Sequence, residues 1–132
     1  MIAKVTWQQD LCFEGKTDSG KSIVMDGNRE GSALSPMESV LLAVGACSSI
    51  DVVDILKKSR QDISDCTCEL EAERAEEAPR VFTTIHAHYQ VKGAKVSEKH
   101  LARAVQLSAE KYCSVMLMLQ SQVKITTSYE LM

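Results

Sequence analysis

The chain has 132 residues, 45% hydrophobic and 25% charged, and a formal net charge of −3. This composition is typical of a single soluble domain spanning residues 1–132. Positive and negative residues are interspersed without a basic block, which excludes nucleic acid as an expected partner. The apolar run at residues 40–50 is too short for a bilayer, so no membrane partner is expected. Five cysteines without a signal peptide indicate a reducing compartment, so we expect a cytoplasmic protein.

Three short strands are predicted before the first helix. Residues 2–9 alternate between apolar and polar side chains, and residues 11–13 continue this strand or form the next. Turn residues around Gly15 and Gly20 separate these from a strand at residues 21–25. A polar loop at residues 26–32 then leads to the first helix.

The longest predicted element is a helix from Ser35 to Arg60. Ser35 is the expected N-cap, Pro36 suits the first helical position, and Glu38 completes a capping box. Residues 37–47 are nearly all apolar, which predicts a central helix buried on most sides. Gly45 costs about 1 kcal/mol relative to alanine in a helix, so another group is expected to come close there.

A hairpin is predicted from two alternating segments, residues 66–75 and 81–91, with Gly93 ending it. Val81 is assigned to the apolar face of the second strand and Phe82 to the polar face. Two pairs of metal-binding side chains lie in this hairpin: Cys66 and Cys68, and His86 and His88. Strand alternation places the thiols on the apolar face and the imidazoles on the polar face, so no metal site is expected.

A second helix is predicted to begin at the cap residue Ser97 and to continue through Leu119, with Cys113 inside it. Residues 123–131 form the closing strand. The resulting order is β-β-β-α-β-β-α-β. Helices covering one side of a largely antiparallel sheet make this an α+β fold.

Cys47 and Cys113 are the candidate reactive residues. Buried thiols commonly pack as small hydrophobic groups, and that interpretation stays open. A reactive thiolate would need a nearby cation, because a mid-helix position receives no help from a helix N-terminus. The candidate cations in the sequence are Arg29, Lys16, Lys21, His100 and Arg103.

Two segments identify a family resemblance: Ser35-Pro36 through Ala46-Cys47, with the cysteine eleven residues after the proline, and the second thiol within residues 111–115. With this order of elements the chain resembles the OsmC/Ohr family of osmotically inducible and organic hydroperoxide resistance proteins, in particular its YhfA-like branch. The resemblance implies largely antiparallel sheets packed on two central helices. It also implies an intertwined homodimer with two sites, each built from both chains.

The resemblance further implies a thiol peroxidase that needs no cofactor. Cys47 would attack the O–O bond of an organic hydroperoxide and become a sulfenic acid, and Cys113 would then close a disulfide. A dithiol reductant would reopen that bond. The alternative is a non-peroxidase dimer that binds an apolar or electrophilic small molecule at the subunit interface.

The chain departs from the family pattern at the activating residues. Peroxidase members have a glutamate directly after the helix-starting proline and an arginine in the first hairpin. Here Met37 follows the proline, and the hairpin at residues 13–21 has no arginine. The candidate activating residues are therefore Arg29, Lys16 and Glu38.

Overall fold

The computed structural model describes residues 1–132, which divide into two compact units, Met1–Val40 and Leu41–Met132. The first unit contains an antiparallel three-stranded sheet in the order β1-β2-β3. Its strands are β1 (Ala3–Gln9), β2 (Cys12–Thr17) and β3 (Ser22–Asp26). Gly20 adopts φ 85° in the turn between β2 and β3, a conformation that glycine reaches without steric cost.

Helix α1 (Pro36–Lys58) begins at the predicted capping box and runs on into the second unit. The Ser35 N–H donates to Glu38 Oε1 at 2.9 Å, and the Glu38 N–H donates to Ser35 Oγ at 3.1 Å. These reciprocal bonds satisfy two backbone donors that a helix start leaves without partners. The prediction of a long helix starting here is confirmed.

Helix α1 buries one stripe of side chains rather than most of its surface. Val44, Ser48, Val52 and Leu56, each four residues apart, are all 0% exposed. Leu42, on another side and within residues 37–47, is 51% exposed. The prediction of a helix buried on most sides is therefore wrong for a single chain, because the second unit covers only this stripe. By length and composition alone α1 could also cross a membrane, a property that core helices share.

The second unit contains a mixed sheet in the order β4-β5-β6. Its strands are β4 (Asp62–Arg74), β5 (Phe82–Lys95) and β6 (Lys124–Leu131). β5 is central, antiparallel to β4 and parallel to β6. With three helical segments, this is an α+β fold as predicted.

Two details of the predicted hairpin are wrong. Phe82 is 7% exposed and Val81 is 52% exposed, the reverse of their predicted faces. The reason is a ladder irregularity between Glu73 and Arg74, which the alternation cannot reveal. Gly93 also does not end β5, since the strand continues to Lys95. A side chain at Gly93 would overlap the Asp62 carbonyl, so this glycine permits close strand pairing.

The predicted second helix is broken into three pieces. Helix α2 (Glu98–Leu107) is capped by Ser97 as predicted, and it continues into a five-residue π-helical turn, Ser108–Tyr112. Helix α3 (Ser114–Leu119) follows. Cys113 lies between them with φ −72° and ψ 103°, so its predicted position inside a continuous helix is wrong. The spacing of apolar residues did not reveal the extra residue that a π-helical turn adds.

Candidate functional site

The structure brings Cys47 and Cys113 together in the second unit. Cys47 is half-buried on α1, Cys113 is 0% exposed, and both are free thiols. Burial raises the pKa of Cys113 to about 11, and the neighbouring Cys47 thiol raises it as well. A 3.4 Å hydrogen bond from the Met116 N–H acts in the opposite direction. Cys113 is therefore a protonated thiol at neutral pH.

A buried hydroxyl pair lies beside Cys47. The Tyr89 hydroxyl donates to Ser48 Oγ at 2.6 Å, and Ser48 Oγ donates to the Val44 carbonyl at 2.8 Å. Tyr89 is 1% exposed and Ser48 is 0% exposed. Burial raises the pKa of Tyr89, so the phenol stays a neutral hydrogen-bond donor. Sequence reasoning missed this pair, although a serine directly after the cysteine in an apolar stretch was a usable signal.

Cys68 lies opposite Tyr89 on the buried face of the second sheet. Burial raises its pKa, while the hydroxyl of the neighbouring Ser49 acts in the opposite direction. Burial also raises the pKa of Cys66. Both thiols are half-buried, and a raised pKa disfavours the thiolate. Their half-buried positions agree with the apolar face that strand alternation predicts for them.

At Gly45, helix α1 lies close to the second sheet. A Cβ atom at this position would lie 2.6 Å from Leu70 Cδ1 and 3.8 Å from Cys68 Sγ. The prediction that another group comes close to this glycine is confirmed. Because Gly45 has no side chain, α1 can pack closely against the face of β4 that carries Cys68.

Ser108, at the start of the π-helical turn, also contacts α1. Its hydroxyl lies 2.9 Å from Asp51 Oδ2 and 3.3 Å from the Ser48 carbonyl oxygen. Ser108 is 1% exposed. Sequence reasoning assigned no role to it, although it follows Ala104 by four residues on the apolar stripe of the second helix. A lone serine on such a stripe was the available signal.

The three candidate activating residues all lie in the first unit, whereas Cys47 and Cys113 lie in the second. Arg29 is exposed in the loop before α1, and Lys16 on β2 is 3.9 Å from the Glu14 carboxylate. Glu38 is engaged in the capping box. The hydrogen bond from the Ser35 N–H lowers the pKa of Glu38. Their activating roles stay predictions.

The histidines and cysteines of the hairpin point to opposite sides of the sheet, as predicted. His86 and His88 are both half-buried on the polar face. Ser128 Oγ lies 2.7 Å from a ring nitrogen of each histidine. The other ring nitrogens lie 2.6 Å from Thr126 Oγ1 and 3.4 Å from Glu130 Oε2. These contacts hold both rings against β6.

Comparisons with known proteins agree with this architecture. The family model for OsmC-like proteins matches residues 29–128. Protein YhfA from Escherichia coli strain K12 is 56% identical over 130 residues, covering 98% of this chain and 97% of that protein.

Two solved structures show similar folds. The crystal structure of a hypothetical protein from Aquifex aeolicus VF5 has a TM-score of 0.90 at 36% identity, covering 99% of this chain and 95% of that one. An organic hydroperoxide resistance protein OsmC from Legionella pneumophila has a TM-score of 0.70 at 16% identity, covering 98% and 95%. At this low identity the Legionella protein supports the fold alone.

Proposed function

We propose that this chain, which belongs to the OsmC-like protein family, is a thiol-dependent redox protein that reduces organic hydroperoxides. The observation that carries this proposal is the proximity of Cys47, half-buried, to Cys113, fully buried. Two neighbouring free thiols can pass between dithiol and disulfide without a cofactor. A buried thiol that only packs does not need such a partner.

The proposed reaction has three steps. The Cys47 thiolate attacks the terminal peroxide oxygen, and the O–O bond breaks, so that Cys47 becomes a sulfenic acid. The alkoxide that leaves takes a proton from water and becomes the alcohol. The Cys113 sulfur then attacks the Cys47 sulfur, and its proton leaves with the displaced hydroxyl as water. An external dithiol finally reduces the disulfide and is itself oxidised to a disulfide. We propose that this reductant operates in the reducing cytoplasm.

A cation from the first unit is proposed to stabilise the Cys47 thiolate, with Arg29 as the first candidate and Lys16 as the second. Arginine carries a planar fork of donors, whereas lysine offers a point charge. Arg29→Ala or Lys16→Ala, whichever residue acts, is expected to slow oxidation of Cys47 at least tenfold. Lys4→Ala, at an exposed position of the first unit, is the matched control for lost surface charge.

A homodimer is proposed from the uncovered side of α1. Leu42 is 51% exposed and Ile50 is 68% exposed in the single chain. A second copy would remove this apolar surface from water, which stabilises association by about 25 cal/mol per Å². Sedimentation equilibrium is expected to show a dimer, and Ile50→Lys is expected to dissociate it. A monomeric wild-type protein would contradict the proposal.

The test of function is oxidation of the reduced protein with one equivalent of cumene hydroperoxide, followed by peptide mass mapping. A Cys47–Cys113 disulfide is expected. Cys113→Ser should instead leave a sulfenic acid on Cys47 that dimedone traps, and Cys47→Ser should leave Cys113 reduced. Cys12 is a half-exposed internal control. If Cys12 is modified while Cys47 stays reduced, the proposed function is wrong.

A second candidate function is binding of an apolar small molecule, which an apolar cavity in the first unit favours. This cavity, of about 370 Å³, is lined by Val5, Leu11, Phe13, Met25, Gly27 and Pro36. Native mass spectrometry of the purified protein would reveal a retained apolar ligand. Retention in Cys47→Ser and loss in Phe13→Asp would favour this function over the redox one.

A further inference from the structure

Ser108 contacts α1 directly beside the proposed reactive thiol. Its hydroxyl carries one hydrogen, and the nearer acceptor is the Asp51 carboxylate at 2.9 Å. The Ser48 carbonyl oxygen, in the residue after Cys47, lies 3.3 Å away. A hydrogen bond to a charged acceptor contributes roughly twice as much as a neutral one. Ser108 is therefore held against the turn of α1 that follows Cys47.

The same residue is bonded to the backbone of Cys113. The Cys113 N–H donates to the Ser108 carbonyl at 2.8 Å, the i to i−5 bond of a π-helical turn. Ser108 thus connects α1 through its side chain to Cys113 through its main chain. π-Helical turns are rare and are found frequently at functional sites.

The π-helical turn also decides which side chain faces inward. Each helical residue turns the chain by about 100°, so one extra residue changes the side chain presented to α1. Cys113 is 0% exposed here, while its neighbour Tyr112 is 49% exposed. The turn thereby presents the Cys113 thiol to the interior. The side chain of Ser108, the first residue of the turn, holds the turn against α1.

Disulfide formation is sensitive to such positioning. The sulfur atoms must approach to about 2.05 Å with Cα atoms within about 7 Å, so a small displacement of one segment lowers the yield. Holding two reacting groups in place raises their effective concentration by orders of magnitude. A residue that fixes the segment carrying Cys113 therefore affects disulfide formation more than attack on the peroxide.

We propose that Ser108 is a positioning residue for the resolving step. By bonding to α1 it holds the π-helical turn so that Cys113 reaches the oxidised Cys47 sulfur. It touches no reacting atom and acts through the main chain of Cys113. This inference rests on the proposed function in that Cys47 and Cys113 form the redox pair.

The test separates the two chemical steps in Ser108→Ala. The rate of sulfenic acid formation on Cys47, followed by dimedone trapping, is expected to stay within twofold of wild type. The subsequent rate of disulfide formation is expected to fall at least tenfold. The equilibrium constant of the Cys47–Cys113 disulfide against glutathione is expected to fall at least tenfold as well. A general loss of stability alone would not slow disulfide formation while leaving the rate of sulfenic acid formation unchanged.

Matched variants keep the result interpretable. Ser114→Ala removes an exposed hydroxyl directly after Cys113 and is expected to behave as wild type. Asp51→Asn retains an acceptor oxygen for Ser108 and should keep most of the resolving rate, whereas Asp51→Ala should reduce it. The comparison of the two Asp51 variants also serves as the test if Ser108→Ala does not fold.

The outcomes distinguish this inference from the proposed function. If the wild type forms the disulfide and Ser108→Ala forms it at the same rate and with the same equilibrium constant, the positioning role is wrong. If hydroperoxide fails to oxidise wild-type Cys47 but glutathione disulfide still forms the Cys47–Cys113 bond, the peroxidase function is wrong. The glutathione equilibrium then still decides the role of Ser108.

Discussion

Tyr89 donates a 2.6 Å hydrogen bond to Ser48 inside the core, and neither side chain reaches solvent. The Ser48 hydroxyl in turn donates a hydrogen bond to the Val44 carbonyl at 2.8 Å. These two hydrogen bonds connect β5 to α1 at the residue following Cys47. Because buried polar groups are costly without partners, the pair stabilises one packing of α1 on the sheet.

We predict that Tyr89→Phe lowers the free energy of unfolding by about 1 kcal/mol, the typical contribution of one hydrogen bond. Ser48 keeps its bond to the Val44 carbonyl, so the serine is not left without a partner. Urea denaturation under reducing conditions measures the change. Tyr129→Phe is the control, because Tyr129 is 37% exposed. Equal effects of the two substitutions would contradict the prediction.

The second prediction concerns alkaline pH. Burial raises the pKa of Cys113 to about 11. A thiol in the unfolded chain titrates near 8.5, so the unfolded state loses its proton first. The stabilising contribution is therefore fully present below about pH 8.5 and is lost as the pH rises toward 11.

We expect reduced wild type to lose about 2 kcal/mol more stability between pH 7 and pH 10 than Cys113→Ala does. Urea denaturation at each pH, with a phosphine reductant, gives the comparison. The variant's own lower stability cancels, since only the change with pH is compared. Parallel pH profiles would show that Cys113 titrates normally in the folded state.

The third prediction is a coupling between Gly45 and Leu70. A Cβ at Gly45 would lie 2.6 Å from Leu70 Cδ1, so Leu70 must move to accommodate alanine. In a Leu70→Val background that atom is absent, and Gly45→Ala should stabilise by up to about 1 kcal/mol through helix propensity. In the wild-type background the same substitution should be neutral or destabilising. A double-mutant cycle measures the difference, and additive effects would contradict the contact.

The fourth prediction separates two roles for Glu38. If its carboxylate serves the capping box, Glu38→Gln retains an acceptor oxygen and should leave the cumene hydroperoxide rate within twofold of wild type. Ser35→Ala should lower the free energy of unfolding by about 1 kcal/mol. A tenfold loss of rate in Glu38→Gln, with unchanged stability, would assign Glu38 to thiolate activation instead.

Acid pH provides an independent test of the same cap. The Ser35 hydrogen bonds lower the pKa of Glu38 in the folded state. The stabilising contribution of its carboxylate is therefore present above the ordinary glutamate pKa, and it is lost as the pH falls through the pKa of Glu38 in the folded state. Glu38→Gln should therefore show a weaker loss of stability below pH 4.5 than wild type. Identical acid profiles would contradict this role.

Predictions from the sequence were correct for features that neighbouring residues determine. The capping box at Ser35 and Glu38 lies within one turn, and the thiols and histidines of the hairpin separate by simple alternation. The errors lie where distant residues decide the geometry. Phe82 reaches the buried face through an irregular ladder with β4, and Cys113 leaves the helix through a π-helical turn whose first residue bonds to α1.

The sequence alone determined the order of the elements, the start of α1 and the two thiols of interest, because caps, turns and periodicity are properties of neighbouring residues. Only the tertiary structure decided that Cys47 and Cys113, 66 positions apart in the sequence, are neighbours. It alone showed that Tyr89 and Ser108 bond to the turns of α1 beside the first thiol. Burial by residues from separate elements sets the environment of a thiol, and no local pattern encodes that burial.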